Sequence, residues 1–162
     1  RILICDDDTL IIEQLKKYIE SYFESNHLNV LIISFTSGEA LLTDKGEKDI
    51  VFLDIEMPGM NGIYVGNELK KANRNVIVFV VTSYSEYLDE AMRFPCIPLP
   101  FKPLDKQRFF RNLKDALAYY NSITLKIPVE TKQAVYSFPA SQIIAIEAQG
   151  EKVIVHTARQ DF

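Results

Sequence analysis

The chain of 162 residues carries 18 Lys and Arg against 22 Asp and Glu, two cysteines, seven prolines and no tryptophan, with 48% apolar residues, a mix that fits one average globular domain or one small domain with part of a second. Cys5 and Cys96 lie far apart in apolar runs, which excludes a disulfide scaffold and suits a reducing compartment. No apolar run approaches the about 18 residues of a membrane span, no signal peptide is visible, and a formal net charge of −4 argues against bulk electrostatic binding to nucleic acid, so a cytoplasmic protein without a membrane partner is expected.

In the first 120 residues, short β-branched runs alternate with amphipathic segments, the rhythm of βαβ units around a parallel sheet. Strands are predicted at Ile2–Cys5, Val30–Ser34, Ile50–Asp54, Val76–Thr82 and Cys96–Phe101, each a continuous apolar run as a strand covered on both faces requires. Ile11, Leu15, Tyr18, Ile19, Tyr22 and Phe23 share one face of a helix over Thr9–Ser25. A short helix opens at Ser37, a third follows Asn61-Gly62 through Lys71, and Ser83 or Ser85 caps a fourth through Arg93. The fifth starts after Pro103 and runs to Tyr120, with Leu104, Phe109, Leu113, Leu117 and Tyr120 on one face and Lys106, Gln107, Arg108, Arg111 and Lys114 on a solvated one.

After Tyr120 the pattern turns to short alternating strands, Ile123–Ile127, Ala134–Phe138, Ile143–Glu147 and Val153–His156, which predict a thin antiparallel sheet lacking part of its core. Charge divides the same way: residues 1–120 hold 14 basic and 18 acidic groups, whereas residues 121–162 hold four of each. Two modules, 1–120 and 121–162, are expected.

In a doubly wound sheet, ligands collect where strands end at their carboxyl edge. Strand one ends in Asp6-Asp7-Asp8, strand three in Asp54, strand four in Thr82-Ser83 and strand five in Lys102. The acidic run alone could be a helix start, since Asp8-Thr9 makes a good cap. Together with Asp54 it becomes a set of converging carboxylates, which would repel one another unless they held a divalent cation such as Mg²⁺ or Mn²⁺. A hydroxyl and a lysine opposite read as phosphate ligands.

These residues resemble the receiver domain of two-component response regulators. The resemblance is carried by Asp6-Asp7-Asp8, the stretch Asp54-Ile55-Glu56-Met57-Pro58-Gly59-Met60-Asn61-Gly62, Val81-Thr82-Ser83 and Lys102-Pro103. It implies a flavodoxin-like (CheY-like) α/β fold, a five-stranded parallel sheet in the order 2-1-3-4-5. It further implies that Asp54 accepts a phosphoryl group from the phosphohistidine of a sensor histidine kinase. Asp6, Asp7, an Asp54 oxygen and the backbone carbonyl of Glu56 would hold Mg²⁺, Thr82 would donate its hydroxyl to the phosphoryl group, and Lys102 would pair with it. Any enzymatic activity would be an incidental loss of the protein's own phosphate. Such proteins commonly dimerise on activation. Relatives usually carry Tyr or Phe three residues before the lysine; here the position is Leu99, leaving Phe101 or Phe94 as the rings that could replace it. Pro98 and Pro100 share parity and suit an edge strand, because neither can donate to a ladder.

The tail, from Lys126 through His156, resembles the opening of a LytTR-type DNA-binding domain, on Ile143-Ile144-Ala145-Ile146-Glu147-Ala148 followed by a Gly150 turn and a strand ending in His156. The resemblance implies a transcription regulator, binding DNA through its full-length output domain, whose output module is only begun here. Two alternatives are a Mg²⁺-dependent phosphohydrolase with Asp54 as nucleophile, disfavoured by the lack of a capping insertion, and a receiver acting by protein contact without phosphate.

Overall fold

The structure, a computed structural model, describes residues 1–82, 95–100, 105–131, 134–150 and 152–157. Strands β1 (Ile2–Cys5), β2 (Ile32–Phe35), β3 (Ile50–Leu53), β4 (Ile77–Thr82) and β5 (Ile97–Pro100) form one parallel sheet ordered β2-β1-β3-β4-β5. That is the predicted order. Helices α1 (Thr9–Ser25), α2 (Gly38–Thr43), α3 (Gly62–Ala72) and α4 (Lys106–Thr124) follow the chain between and after these strands. The helix expected between Ser83 and Arg93 falls outside the described residues, as do Phe94 and Phe101.

Every residue of β1, β3 and β4 is buried, which explains their unbroken apolar runs. Strand pleating sends alternate residues to opposite layers. Leu3 and Cys5, Val51 and Leu53, and Val78 and Val80 pack with Leu41 of α2 and Val65 and Leu69 of α3 in one cluster. The opposite parity supplies Phe52 and Phe79, which stack with centroids 4.7 Å apart, and Phe109 of α4 joins them at 5.4 Å from Phe52. All three rings are essentially inaccessible, so truncating one to alanine would cost roughly 3–5 kcal/mol.

Local chemistry sets the helix ends. Asp8 caps α1 by accepting from the Leu10 amide at 2.8 Å, Ser37 caps α2 through the Ala40 amide at 3.3 Å, and Asn61 caps α3 through the Ile63 amide at 2.7 Å. Helix α1 ends with His27 at φ 53°, where the Leu28 amide donates to Phe23 O and the His27 amide to Glu24 O, a left-handed cap of the Schellman kind that more often uses glycine.

Three expectations need correction. Strand β2 is Ile32–Phe35, not Val30–Ser34, because pairing with β1 aligns Ile2 with Ile32 and leaves Leu31 59% exposed. Helix α4 continues past Tyr120 to Thr124, and β6 begins at Lys126 rather than Ile123. The β-branched pair Ile123-Thr124 reads as a strand start, yet the Leu125 amide still donates to Asn121 O and Thr124 Oγ1 to Tyr120 O, closing one more helical turn. The tail is two hairpins, not one four-stranded sheet. Strands β6 (Lys126–Glu130) and β7 (Val135–Pro139) pair antiparallel, and β8 (Ile143–Gln149) pairs antiparallel with β9 (Lys152–Thr157) around Gly150 at φ 65°. A 3₁₀ turn at Ala140–Gln142 separates them. The chain forms two compact units, 1–114 and 115–162, with the boundary inside α4.

Candidate functional site

Strands β1 and β3 are neighbours with Cys5 opposite Leu53, so the residues that follow them, Asp6 and Asp54, leave the sheet side by side. The Asp54 amide donates to Cys5 O at 2.8 Å, and the Asp6 amide donates to Phe35 O at 3.2 Å, which fixes both backbones to the ends of the sheet. Asp6 is 1% and Asp54 5% exposed, while Asp7 is open to solvent. One carboxylate oxygen from each of Asp6, Asp7 and Asp54 lies within 4.8 Å of the others. Asp8, the third acid of the run, turns away to cap α1, and its amide donates to Asp6 Oδ1 at 2.9 Å. The acidic run therefore divides: Asp8 caps a helix, while Asp6 and Asp7 join Asp54 in the carboxylate cluster.

Two buried carboxylates beside a third repel strongly in a low dielectric. Oxygen-only donors, two fixed in the protein and one facing solvent, fit a hard divalent cation that keeps several waters, as Mg²⁺ does. The residues present therefore fit that ion. Glu56 is exposed, and its amide donates a long 3.4 Å bond to Asp54 Oδ1, placing its backbone beside the cluster. Thr82, 2% exposed, ends β4 on the far side of β3, two residues beyond Val80, which pairs with Leu53. Lys102, the remaining expected site residue, and the Lys102-Pro103 peptide lie outside the described residues. Leu99 is 3% exposed within β5, opposite Val81, a core position filled without an aromatic ring.

An open cleft of about 540 Å³ borders the cluster at Asp7 and is further lined by Ile55, Glu56, Met57, Pro58, Gly59 and Asn61. Its shape depends on two glycines. Gly59 turns the loop at φ 88°, and a side chain there would be strained. Gly62, the first residue of α3, packs on the backbone just beyond β3: a Cβ there would overlap Asp54 O and come within 2.8 Å of Ile55 Cα. The Gly62 amide donates to Ile55 O at 3.0 Å. Its sequence position marks only the start of a helix, whereas the structure shows it packed closely against Asp54, which no periodicity reports.

Beneath the acids, Cys5 Sγ lies 3.5 Å from Met57 Sδ in the core. Burial first, then the charges of Asp6, Asp54 and Glu39, push the Cys5 thiol up to about 12. It is an inert core thiol, as its apolar flanks predict. Of the two histidines, His27 ends α1 and His156 lies 3.4 Å from Glu147 across the β8–β9 hairpin.

A family model described as the response regulator receiver domain matches residues 2–114. Sensory transduction protein LytT of Bacillus anthracis is 30% identical over 114 residues, covering 70% of this chain and 46% of that protein. The positive alginate biosynthesis regulatory protein of Pseudomonas aeruginosa is 30% identical over 155 residues, 94% of this chain and 61% of its own length. The chain thus spans about half the length of the curated relatives it matches. Among solved structures, response regulator TrrA of Thermotoga maritima, in complex with Mg²⁺ and BeF, superposes with a TM-score of 0.60 at 28% identity, over 72% of this chain and 97% of that one. No described helix is long and apolar enough to cross a membrane. With its strand order and its acids at the ends of β1 and β3, the chain belongs to the response regulator receiver domain family.

Proposed function

We propose that Asp54 is the phosphoacceptor of a response regulator that controls transcription through a LytTR-type output domain begun at residues 121–162. One observation carries the reading: Asp54, nearly buried, shares a 4.8 Å carboxylate cluster with Asp6 and Asp7 at the end of the sheet's central strands. An Asp54 carboxylate oxygen attacks the phosphorus of a kinase phosphohistidine. The phosphorus–nitrogen bond breaks, and the imidazole nitrogen keeps the electron pair and takes a proton. Asp6, Asp7, Asp54 and the Glu56 carbonyl would hold Mg²⁺, which when bound neutralises the charge on the transferring group. Thr82 donates its hydroxyl to a phosphoryl oxygen and Lys102 pairs with another. Slow attack by water through the open cleft returns Asp54 to its free form, so the protein acts as a timed switch and not as an enzyme on outside substrates.

The two-module division at about residue 120 is supported by the two compact units, and the regulatory role by a relative that matches 94% of the chain and is named as a regulatory protein. Phosphorylation would bias an existing equilibrium of the receiver toward a form that associates as a homodimer and engages DNA through the full-length output domain. The test is acetyl phosphate with Mg²⁺, read by intact mass. A single phosphoryl adduct is expected, absent with chelator and absent in Asp54→Asn. An adduct that survives Asp54→Asn overturns the assignment.

A further inference from the structure

Helix α2 begins two residues after β2, at the same carboxyl edge of the sheet as Asp6, whose amide is bonded to the last residue of β2. The second residue of α2 is Glu39, an exposed acid. Its carboxylate reaches back across the edge of the sheet to the loop after β3: Glu39 Oε1 lies 3.1 Å from where a Cβ on Gly59 would stand, so it rests against the bare backbone of a residue that lines the acidic cleft. The contact therefore puts a fourth carboxylate over the rim of the cleft, outside the three that cluster.

We infer that Glu39 is a tuning residue of this site, one that holds its charge over the Gly59 loop and acts through space on whatever enters the cleft, without touching it. The inference rests on the reading of Asp54 as phosphoacceptor. An outlying negative charge has opposite effects on the two species that meet there: it attracts the cation and repels the anionic phosphoryl donor. A unit charge about 10 Å from a divalent ion in a water-like medium changes its affinity roughly fourfold, and the same size of effect, reversed, applies to a dianionic donor. Both effects should fade as added salt shortens the screening length. A role confined to helix stability would produce neither the opposed signs nor the salt dependence.

The experiment compares the 162-residue chain with Glu39→Gln, Glu39→Asp and Asp54→Asn. Mg²⁺ affinity is measured by calorimetry, and the rate of phosphorylation by acetyl phosphate is measured at saturating Mg²⁺, each at about 20 mM and about 500 mM salt. At low salt, where screening trims the fourfold limit, Glu39→Gln should bind Mg²⁺ roughly two- to threefold more weakly and yet react roughly two- to threefold faster once Mg²⁺ is saturating. At high salt both differences should shrink toward unity, and Glu39→Asp should stay near the parent in both. Changes of the same sign, changes shared by Glu39→Asp, changes insensitive to salt, or no change would each overturn the inference. Failure of the parent chain to form an adduct that Asp54→Asn removes would instead overturn the phosphoacceptor reading, so the two failures are distinguishable.

Discussion

Replacing Gly62 by alanine sets two physical effects against each other. Residue 62 opens α3, and in a helix alanine is favoured over glycine by up to about 1 kcal/mol, so propensity alone makes the variant more stable. Packing predicts the reverse. The added methyl would overlap Asp54 O and stand 2.8 Å from Ile55 Cα and 2.9 Å from Asp54 C. These are backbone atoms at the end of a buried strand, and Asp54 is tied there by the hydrogen bond its amide donates to Cys5 O, so no flexible side chain can give way. Overpacking against a fixed core costs about 1–3 kcal/mol, and a clash with backbone belongs at the upper end. A net loss of about 2 kcal/mol follows, which for a unit of this size lowers the melting temperature by about 8 °C. Relief of the overlap also displaces the Asp54 backbone, so phosphorylation by acetyl phosphate should slow well beyond what the folded fraction explains. Urea unfolding followed by circular dichroism, beside adduct formation at a temperature where both proteins are folded, measures the two effects. A Gly62→Ala protein as stable as the parent or more so would refute the packing argument.

Other expectations follow from single features. His27→Gly relieves a left-handed conformation at φ 53° at the end of α1, so it should raise stability by about 0.5–1 kcal/mol in urea titrations, after the greater freedom of glycine in the unfolded chain is subtracted. Arg1 grips Asp44 with two hydrogen bonds, Nη1 to Oδ2 at 2.8 Å and Nη2 to Oδ1 at 2.9 Å, and this bond first holds the Asp44 carboxyl down at about 2. A depressed carboxyl contributes stability that is whole above its unfolded value near pH 4 and is lost as pH falls through the folded value; Asp44→Asn should therefore flatten the fall in stability between about pH 4 and pH 2 and leave the remaining acid transitions in place. With its thiol pushed up to about 12 and no exposure, Cys5 should resist iodoacetamide in the folded protein at pH 8 while half-buried Cys96 labels first, as peptide mapping would show.

The sheet was legible because covering a parallel strand on both faces leaves a continuous β-branched run, and the runs at Ile50 and Val76 carry no competing helical period. The acids of the site were legible for a related reason: polar residues at the ends of such runs must leave the sheet at its ligand-binding edge. Where local preference and tertiary context disagree, the reading failed. Ile123-Thr124 favours a strand by its branching, yet the helix behind it had one more amide to satisfy. Alternation in the tail identified strands without specifying pairing, so the separate hairpins were read as one sheet. The contact of Gly62 with Asp54 closes a turn whose fit no periodicity reports, and that of Glu39 with the Gly59 loop joins segments on different elements, which no spacing along the chain encodes.

The central claim is that one residue, Asp54, carries the phosphoryl group. An acyl phosphate is reduced by borohydride to an alcohol, which marks the modified residue permanently. After reaction with acetyl phosphate and Mg²⁺ followed by borohydride, peptide mapping should find the reduced residue at position 54, with Asp6, Asp7 and Asp8 unchanged. Reduction at any of those three acids, or none at position 54, would contradict it.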